Sequence, residues 1–239
     1  MHPKGIGSPG GSLARLADYK NIVVMTGAGI SRAAGLATYR GPGGLWNDES
    51  KIALSTVEAL ESRRDDVTGM FWGFRGAILA AEPTAAHRAL AAFEKKCAGA
   101  FTLVTQNVDG LHQRAGSHNV VEYHGSLRQW RCEVCGRVTE PTVPELPDCC
   151  GHTLRPDVVL FGEPIPVHAE HQVKGALREC DLFVAIGTSG TVYPAAGFVR
   201  SASYAGARTM LLNLEIEDDG SYHETYAGTA DELVTHWFQ

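Results

Sequence analysis

The sequence predicts an α/β protein whose parallel sheet is covered by helices on both faces and carries a smaller lobe made of two inserts. Three observations lead there. Short apolar runs rich in Val and Ile alternate with longer segments of helical period. Those runs are apolar at consecutive positions rather than alternate ones, as strands buried on both faces require. Two intervals, 36–82 and 127–156, break the alternation. A chain of 239 residues with 44% hydrophobic content is long enough for one substantial core with inserts.

Taken in order, "NIVVMT" (21–26) is the first strand, and a Gly-rich stretch, "MTGAGISRAAGLATYRGPGGLW" (25–46), opens at its carboxyl end. The first interruption then carries a Gly-Pro-Gly-Gly turn and an aromatic helix, "TGMFWGFRGAIL" (68–79). "PTAAHRALAAFEKK" (83–96) is a helix with Pro near its first turn, followed by the strand "FTLVT" (101–105) and a weaker one, "NVVEYH" (119–124). After the second interruption, rich in Cys and Pro, come a helix (167–180), the strand "DLFVAIG" (181–187), a helix (193–205) and the strand "TMLLNL" (209–214). This divides the chain into a sheet domain (1–37, 84–126 and 157–239), a helical insert (38–83) and a Cys-rich insert (127–156).

Charge and composition narrow the partners. A net charge of -6 gives no general electrostatic reason to bind nucleic acid or an anionic membrane. No apolar stretch approaches the roughly 20 residues that span a bilayer, and the first dozen residues lack a secretory apolar region, so the expectation is a soluble, cytoplasmic protein. Of six cysteines, Cys97 and Cys180 stand alone and read as small buried hydrophobes. Cys132, Cys135, Cys149 and Cys150 crowd one segment, which points to metal rather than disulfides. The C-x-x-C at 132 and 135 is a good thiolate half-site. Its second half is open: adjacent Cys149 and Cys150, or one of them with His152. Adjacent ligands share a metal only with a constrained backbone.

Gly27 and Gly29 follow a strand and precede a helix, so their N–H groups could face a diphosphate. Alone this is weak. A dinucleotide fingerprint wants a third glycine where Arg32 stands, and a tight turn without ligand explains the pair as well. A ribose partner could come from "NLE", where Asn213 and Glu215 end the last strand.

The same stretch occurs together with "TQNVDGLHQRAG" (105–116), "EYHGSL" (122–127), "LRPDVVLFGE" (154–163), "GTSGTVYPAAGF" (187–198) and "NLE" (213–215). With these motifs the chain resembles the sirtuins, NAD-dependent protein lysine deacylases, and is most similar to their bacterial class III type. The resemblance implies an inverted Rossmann-type large domain and a small lobe made of a helical module and a zinc-binding module. NAD and acyl-lysine peptide would enter the cleft from opposite sides. It further implies cofactor contacts at Gly27, Ala28, Gly29, Ile30, Arg40, Trp46, Gln106, Asn107, Val108, Asp109, Gly187, Thr188, Ser189, Asn213, Leu214, Glu215 and Ala230.

Catalysis falls, by the same resemblance, to His124 with Asn107 and Asp109. His124 follows a strand and precedes Gly125, and an imidazole suits proton transfer near neutrality. In the implied reaction NAD is consumed: nicotinamide leaves, His124 acts as general base toward the ribose hydroxyls, and the acyl group ends on ADP-ribose. His87 and His112 read as structural. The peptide side is implied at Val159, Phe161, Gly162 and Glu163, where substrate would pair as an added strand, and one structural zinc at Cys132, Cys135, Cys149 and Cys150.

The acyl preference is the least determined feature. Relatives that remove acidic acyl groups present Tyr-x-x-Arg on the helical module. Here Trp72 and Arg75 hold those positions, and Leu160 stands where many relatives have Trp. The expectation is deacetylation with some acidic deacylation. Two alternatives stay open: NAD glycohydrolysis or ADP-ribosyl transfer from the same cleft, and a catalytically weak module that binds NAD or acyl-lysine proteins. The oligomeric state is not legible.

Overall fold

The run of five buried side chains in "NIVVMT" becomes the centre of the molecule. In a computed structural model, described for residues 16–38, 48–142, 146–216 and 220–239, this run is strand β1 (Asn21–Thr26). Later strands are β2 (Ala100–Thr105), β3 (Val120–Glu122), β4 (Gly125–Arg131), β5 (Val138–Thr139), β6 (Asp148–Cys149), β7 (His152–Thr153), β8 (Arg155–Val158), β9 (Leu182–Ile186), β10 (Arg208–Asn213) and β11 (Glu224–Ala227). The helices are α1 (Glu49–Ala53), α2 (Val57–Ser62), α3 (Arg64–Ala80), α4 (Ala85–Lys96), α5 (Leu111–Arg114), α6 (Val167–Glu179), α7 (Phe198–Tyr204) and α8 (Ala230–Trp237).

Six strands form one sheet in the order β11-β10-β9-β1-β2-β3, with every pairing parallel. The strands expected from the apolar runs are all there. Their burial on both faces follows from two separate cores. Ile22, Val24, Leu103 and Val184 pack with Leu90 and Phe93 of α4 and with Leu233 and Val234 of α8. Val23, Met25, Val104 and Phe183 pack with Val173 and Leu177 of α6 and with Val199 and Ala202 of α7. Each buried side chain of this size contributes about 1.5–3 kcal/mol of transfer free energy.

The order also locates a crevice. From β1 the chain runs outward through β2 and β3, then returns to the other side of β1 for β9, β10 and β11. The direction of winding therefore reverses between β1 and β9, and in open parallel sheets ligands bind at the carboxyl ends of strands at that reversal.

Strand β11 and helix α8 are among the elements that the apolar runs do not announce. Strand β11 is a half-buried edge strand, "ETYA", with too little apolar content to stand out. Helix α8 had a legible start: Thr229 and Glu232 form a capping box, with each backbone N–H bound by the other's side chain at 3.3 Å.

A third core gathers the interrupted regions. Leu60, Val67 and Ile78 of α2 and α3 pack with Leu127, Trp130, Leu154, Val158 and Leu160, joined by Trp72 and Val108. Here β4 pairs antiparallel with both β5 and β8, and β6 with β7. Among the described residues no helix is long and apolar enough to cross a membrane.

Candidate functional site

Three turns meet at the carboxyl ends of β1, β2 and β9. Thr26 ends β1 in register with Thr105 on one side and Ile186 on the other. The glycines there answer to the neighbouring turn. Gly27 N–H donates to Ile186 O at 3.0 Å and Gly29 N–H to Gly187 O at 2.9 Å. A side chain on Gly27 would come within 2.8 Å of Gly187 O, and one on Gly29 within 2.6 Å of Gly187 Cα. The expectation that these two N–H groups could face a diphosphate is thus corrected: one is spent on the last residue of β9 and the other on the residue after it. The helix that follows is a seven-residue 3-10 segment, Ala28–Ala34.

From β2 the chain delivers Gln106, Asn107 and Asp109, all buried. Gln106 Nε2 donates to Thr188 Oγ1 at 3.0 Å, joining the second and third turns. Asn107 Nδ2 donates to Gly27 O at 3.1 Å and to Ser31 Oγ at 3.2 Å. A carbonyl can only accept, so the amide nitrogen must be the atom facing Gly27, and Oδ1 is the other. That Oδ1 is a buried acceptor with no partner among the described residues. Asp109 accepts from Ser31 Oγ at 2.6 Å and from Leu111 N–H at 3.0 Å. Ser31, buried behind both, was missed by the sequence reading; its only signal is a hydroxyl two residues past the second glycine.

His124 sits between β3 and β4. Its Nδ1 donates to Gln106 O at 3.1 Å, which leaves Nε2 with the free lone pair in the neutral ring. Burial lowers the imidazole pKa, against the opposing effect of the Gln106 carbonyl. Gly125 is required here: its φ is +81°, and a side chain would meet Asp157 O at 2.2 Å.

The His124 carbonyl accepts from Val159 N–H at 2.9 Å, tying the ring to the segment after β8. Phe161 N–H donates to Ser55 O and its carbonyl accepts from Val57 N–H, each at 2.9 Å. Phe161 itself is 44% exposed. The Glu163 carboxylate closes its own loop, accepting from Leu160 N–H at 2.8 Å and from Arg155 Nη1 and Nη2 at 2.5 and 2.9 Å. Burial pushes the Glu163 carboxyl up, and these bonds outweigh it to leave the pKa below the ordinary value.

At the other termini, Asn213 Nδ2 donates to Thr188 O at 3.1 Å and Leu214 is exposed. Ser189 and Glu215 are exposed, and Ala230 opens α8. Arg40 and Trp46 lie outside the described residues. On α3, Arg75 is buried, its guanidinium 5.0 Å from the centre of the Trp72 ring, and Nη2 donates to Pro141 O. Arg75 Nε is buried without a partner among the described residues. Burial lowers the Arg75 pKa, against the attraction of Glu140.

The thiols of Cys132, Cys135, Cys149 and Cys150 lie within 4.8 Å of one another. Cys135 Sγ is 3.7 Å from Cys149 Sγ, and Cys149 Sγ is 3.8 Å from Cys150 Sγ. Zinc–sulfur bonds of about 2.3 Å in a tetrahedron place sulfurs about 3.8 Å apart, so the four thiols fit zinc. The adjacent pair is made possible by the hairpin between β6 and β7. Its two turn residues, Cys150 and Gly151, have φ of +54° and +77°, as a two-residue type I′ turn demands. His152, on β7, is exposed and outside the cluster.

Comparison with known proteins agrees with this geometry. The Sir2 family model matches residues 27–194. An NAD-dependent protein deacylase of Pasteurella multocida is 44% identical over 226 residues, covering 90% of this chain and 95% of that protein. Among solved structures, a Sir2 homologue in complex with NAD superposes with a TM-score of 0.85 at 34% identity, covering 93% of this chain and 89% of that one. A Sir2 protein with a p53 peptide and NAD+ gives 0.78 at 29% identity, covering 92% of each.

Proposed function

Because the chain belongs to the Sir2 family, we propose that it works as an NAD-dependent protein lysine deacylase, releasing nicotinamide, free lysine and acyl-ADP-ribose. The observation that carries this reading is the convergence, at the reversal of the sheet, of a buried amide with a free acceptor and a neutral imidazole with a free lone pair. When bound, NAD would supply the ribose whose hydroxyl oxygen receives the acyl group, with nicotinamide as the leaving group.

Each residue's part follows from its contacts. Asn107 Oδ1 is held toward an N–H donor by two bonds on its other atom, and a carboxamide such as that of nicotinamide is such a donor. Ser31 and Asp109 fix that amide in place. His124 takes a proton at Nε2 from a ribose hydroxyl, with Nδ1–H anchored to Gln106 O so that the ring cannot turn. Gly187, Thr188 and Ser189 with Asn213, Leu214, Glu215 and Ala230 form the nucleotide side. The segment at Val159, Phe161, Gly162 and Glu163 meets the peptide, and the partners are acyl-lysine proteins. A cytoplasmic setting is part of the same proposal.

For the acyl group we read mixed use. Arg75 keeps an unspent donor, Nε, beside the Trp72 ring, which supports a carboxylate reader. Its bond to Pro141 O already occupies another part of the fork, which supports retained deacetylation. The test is incubation with NAD and matched acetyl-, succinyl- and longer-acyl-lysine peptides, followed by mass spectrometry. Acyl-ADP-ribose appearing with deacylated peptide is expected. ADP-ribose alone, with the peptides unchanged, would overturn the reading in favour of NAD hydrolysis.

A further inference from the structure

The segment proposed to meet the peptide is shaped from behind by one buried side chain. Arg155, 1% exposed, directs most of its guanidinium there. Nε donates to Pro156 O at 3.3 Å and Nη2 to Val158 O at 3.0 Å, while Nη1 and Nη2 together grip the Glu163 carboxylate. The other Glu163 contacts close the loop: Leu160 N–H enters Oε2 at 2.8 Å and Glu163 N–H returns to Leu160 O at 3.0 Å. Arg131 adds a cation 3.7 Å from Glu163.

Outside this clasp, Val159 N–H is taken by His124 O, and both backbone groups of Phe161 by residues 55 and 57. Among the described residues, Val159 O and the backbone groups of Gly162 then have no hydrogen-bond partner. They are what a strand laid alongside could pair with. The clasp also reaches two other regions: Arg155 Nη1 lies 3.5 Å from Glu133, between Cys132 and Cys135, and Glu133 is paired with Arg64 of α3.

We propose that Arg155 is a positioning residue for peptide binding, its forked grip on Glu163 and on two backbone carbonyls holding residues 158–163 in the shape that leaves Val159 O and Gly162 open to substrate. The proposal rests on the reading that this segment meets the peptide. A planar fork with five donors is what the arrangement uses, and an ammonium cannot reproduce it. The determinant is peptide backbone, so its loss affects every acyl group alike.

The experiment compares Arg155→Lys and Glu163→Gln with wild type, measuring KM for acetyl- and succinyl-lysine peptides, KM for NAD, kcat, zinc content and Tm. The result expected in either variant is a rise of at least about tenfold in peptide KM, equal for the two peptides, with NAD KM within about twofold and zinc retained. Glu163→Gln keeps an acceptor for Leu160 N–H, and serves where Arg155→Lys fails to fold. Unchanged peptide KM in a folded variant overturns the proposal, as does a parallel loss in peptide KM, NAD KM and Tm. Phe161→Ala, whose side chain takes no part in the clasp, tests the underlying reading separately. If it too leaves peptide KM unchanged, the segment does not meet the peptide. If it alone raises peptide KM, the segment does so without help from Arg155.

Discussion

At the scale of single residues, one proton position decides the chemistry. Gln106 O can only accept, so His124 carries its proton on Nδ1 and presents Nε2 as a base. His124→Ala is therefore expected to lower kcat by about 100-fold or more while the NAD Kd measured by calorimetry stays within about twofold. Wild-type turnover would remove His124 from the mechanism. Burial lowers the His124 pKa, so the neutral base persists below the ordinary 6.5 and activity is lost only as pH falls through that lowered value. The acid limb of kcat/KM against pH should accordingly lie below 6.5. Arg75→Met carries the acyl question: kcat/KM for succinyl peptide should fall about tenfold, about 1.4 kcal/mol, with acetyl peptide barely changed. Equal losses on both peptides would make the Pro141 contact Arg75's only task.

Turns and hairpins show where the sequence could be read and where it could not. The Gly-rich stretch was legible as a place of close approach, but what it approaches was not: a sequence does not say that β9 ends beside β1, so Gly187 could not be foreseen as the neighbour. Gly29→Ala separates the two explanations. Its side chain would fall 2.6 Å from Gly187 Cα, so overpacking should cost about 1–3 kcal/mol and lower Tm without NAD present. Were the glycine needed only for ligand, stability in the absence of NAD would be unchanged. The cysteine cluster was legible as metal from its crowding. Whether Cys150 or His152 was the fourth ligand depended on the hairpin, because a positive φ at a non-glycine residue leaves no mark in the spacing. Cys132→Ser should release zinc, seen by elemental analysis, and lower Tm, since structural zinc contributes directly to folding. A zinc-free wild type with the same Tm as the variant would count against the site.

Across the whole molecule, a buried histidine pair joins the sheet to the helices that cover it. His87 is on α4 and His112 on α5, with ring centres 4.6 Å apart and both fully buried. The sequence reads both as structural. His87 Nδ1 accepts from Thr84 N–H at 3.2 Å in the cap of α4, and His112 Nε2 lies 2.9 Å from Thr26 Oγ1 at the end of β1. From there Thr26 donates to Thr105, whose hydroxyl accepts from Asn107 N–H, so the pair stands behind the strand ends that carry the proposed site. Burial lowers the His87 pKa to about 4 and the His112 pKa well below 6.5, the proximity of His87 adding to the latter. The unfolded chain, with pKa near 6.5, then binds more protons than the folded one between about pH 6.5 and 4. Stability from this source is complete above the unfolded value and falls as pH drops through that window, by at most about 1.4 kcal/mol per pH unit for each histidine. His87→Asn keeps an acceptor for Thr84 N–H but cannot be protonated. Urea unfolding between pH 7 and 5 should show the wild type losing stability more steeply than His87→Asn, although the variant starts lower. Parallel curves would mean that His87 takes up its proton as readily in the folded protein as in the unfolded chain, the attraction of Asp109 and Asp231 then offsetting burial.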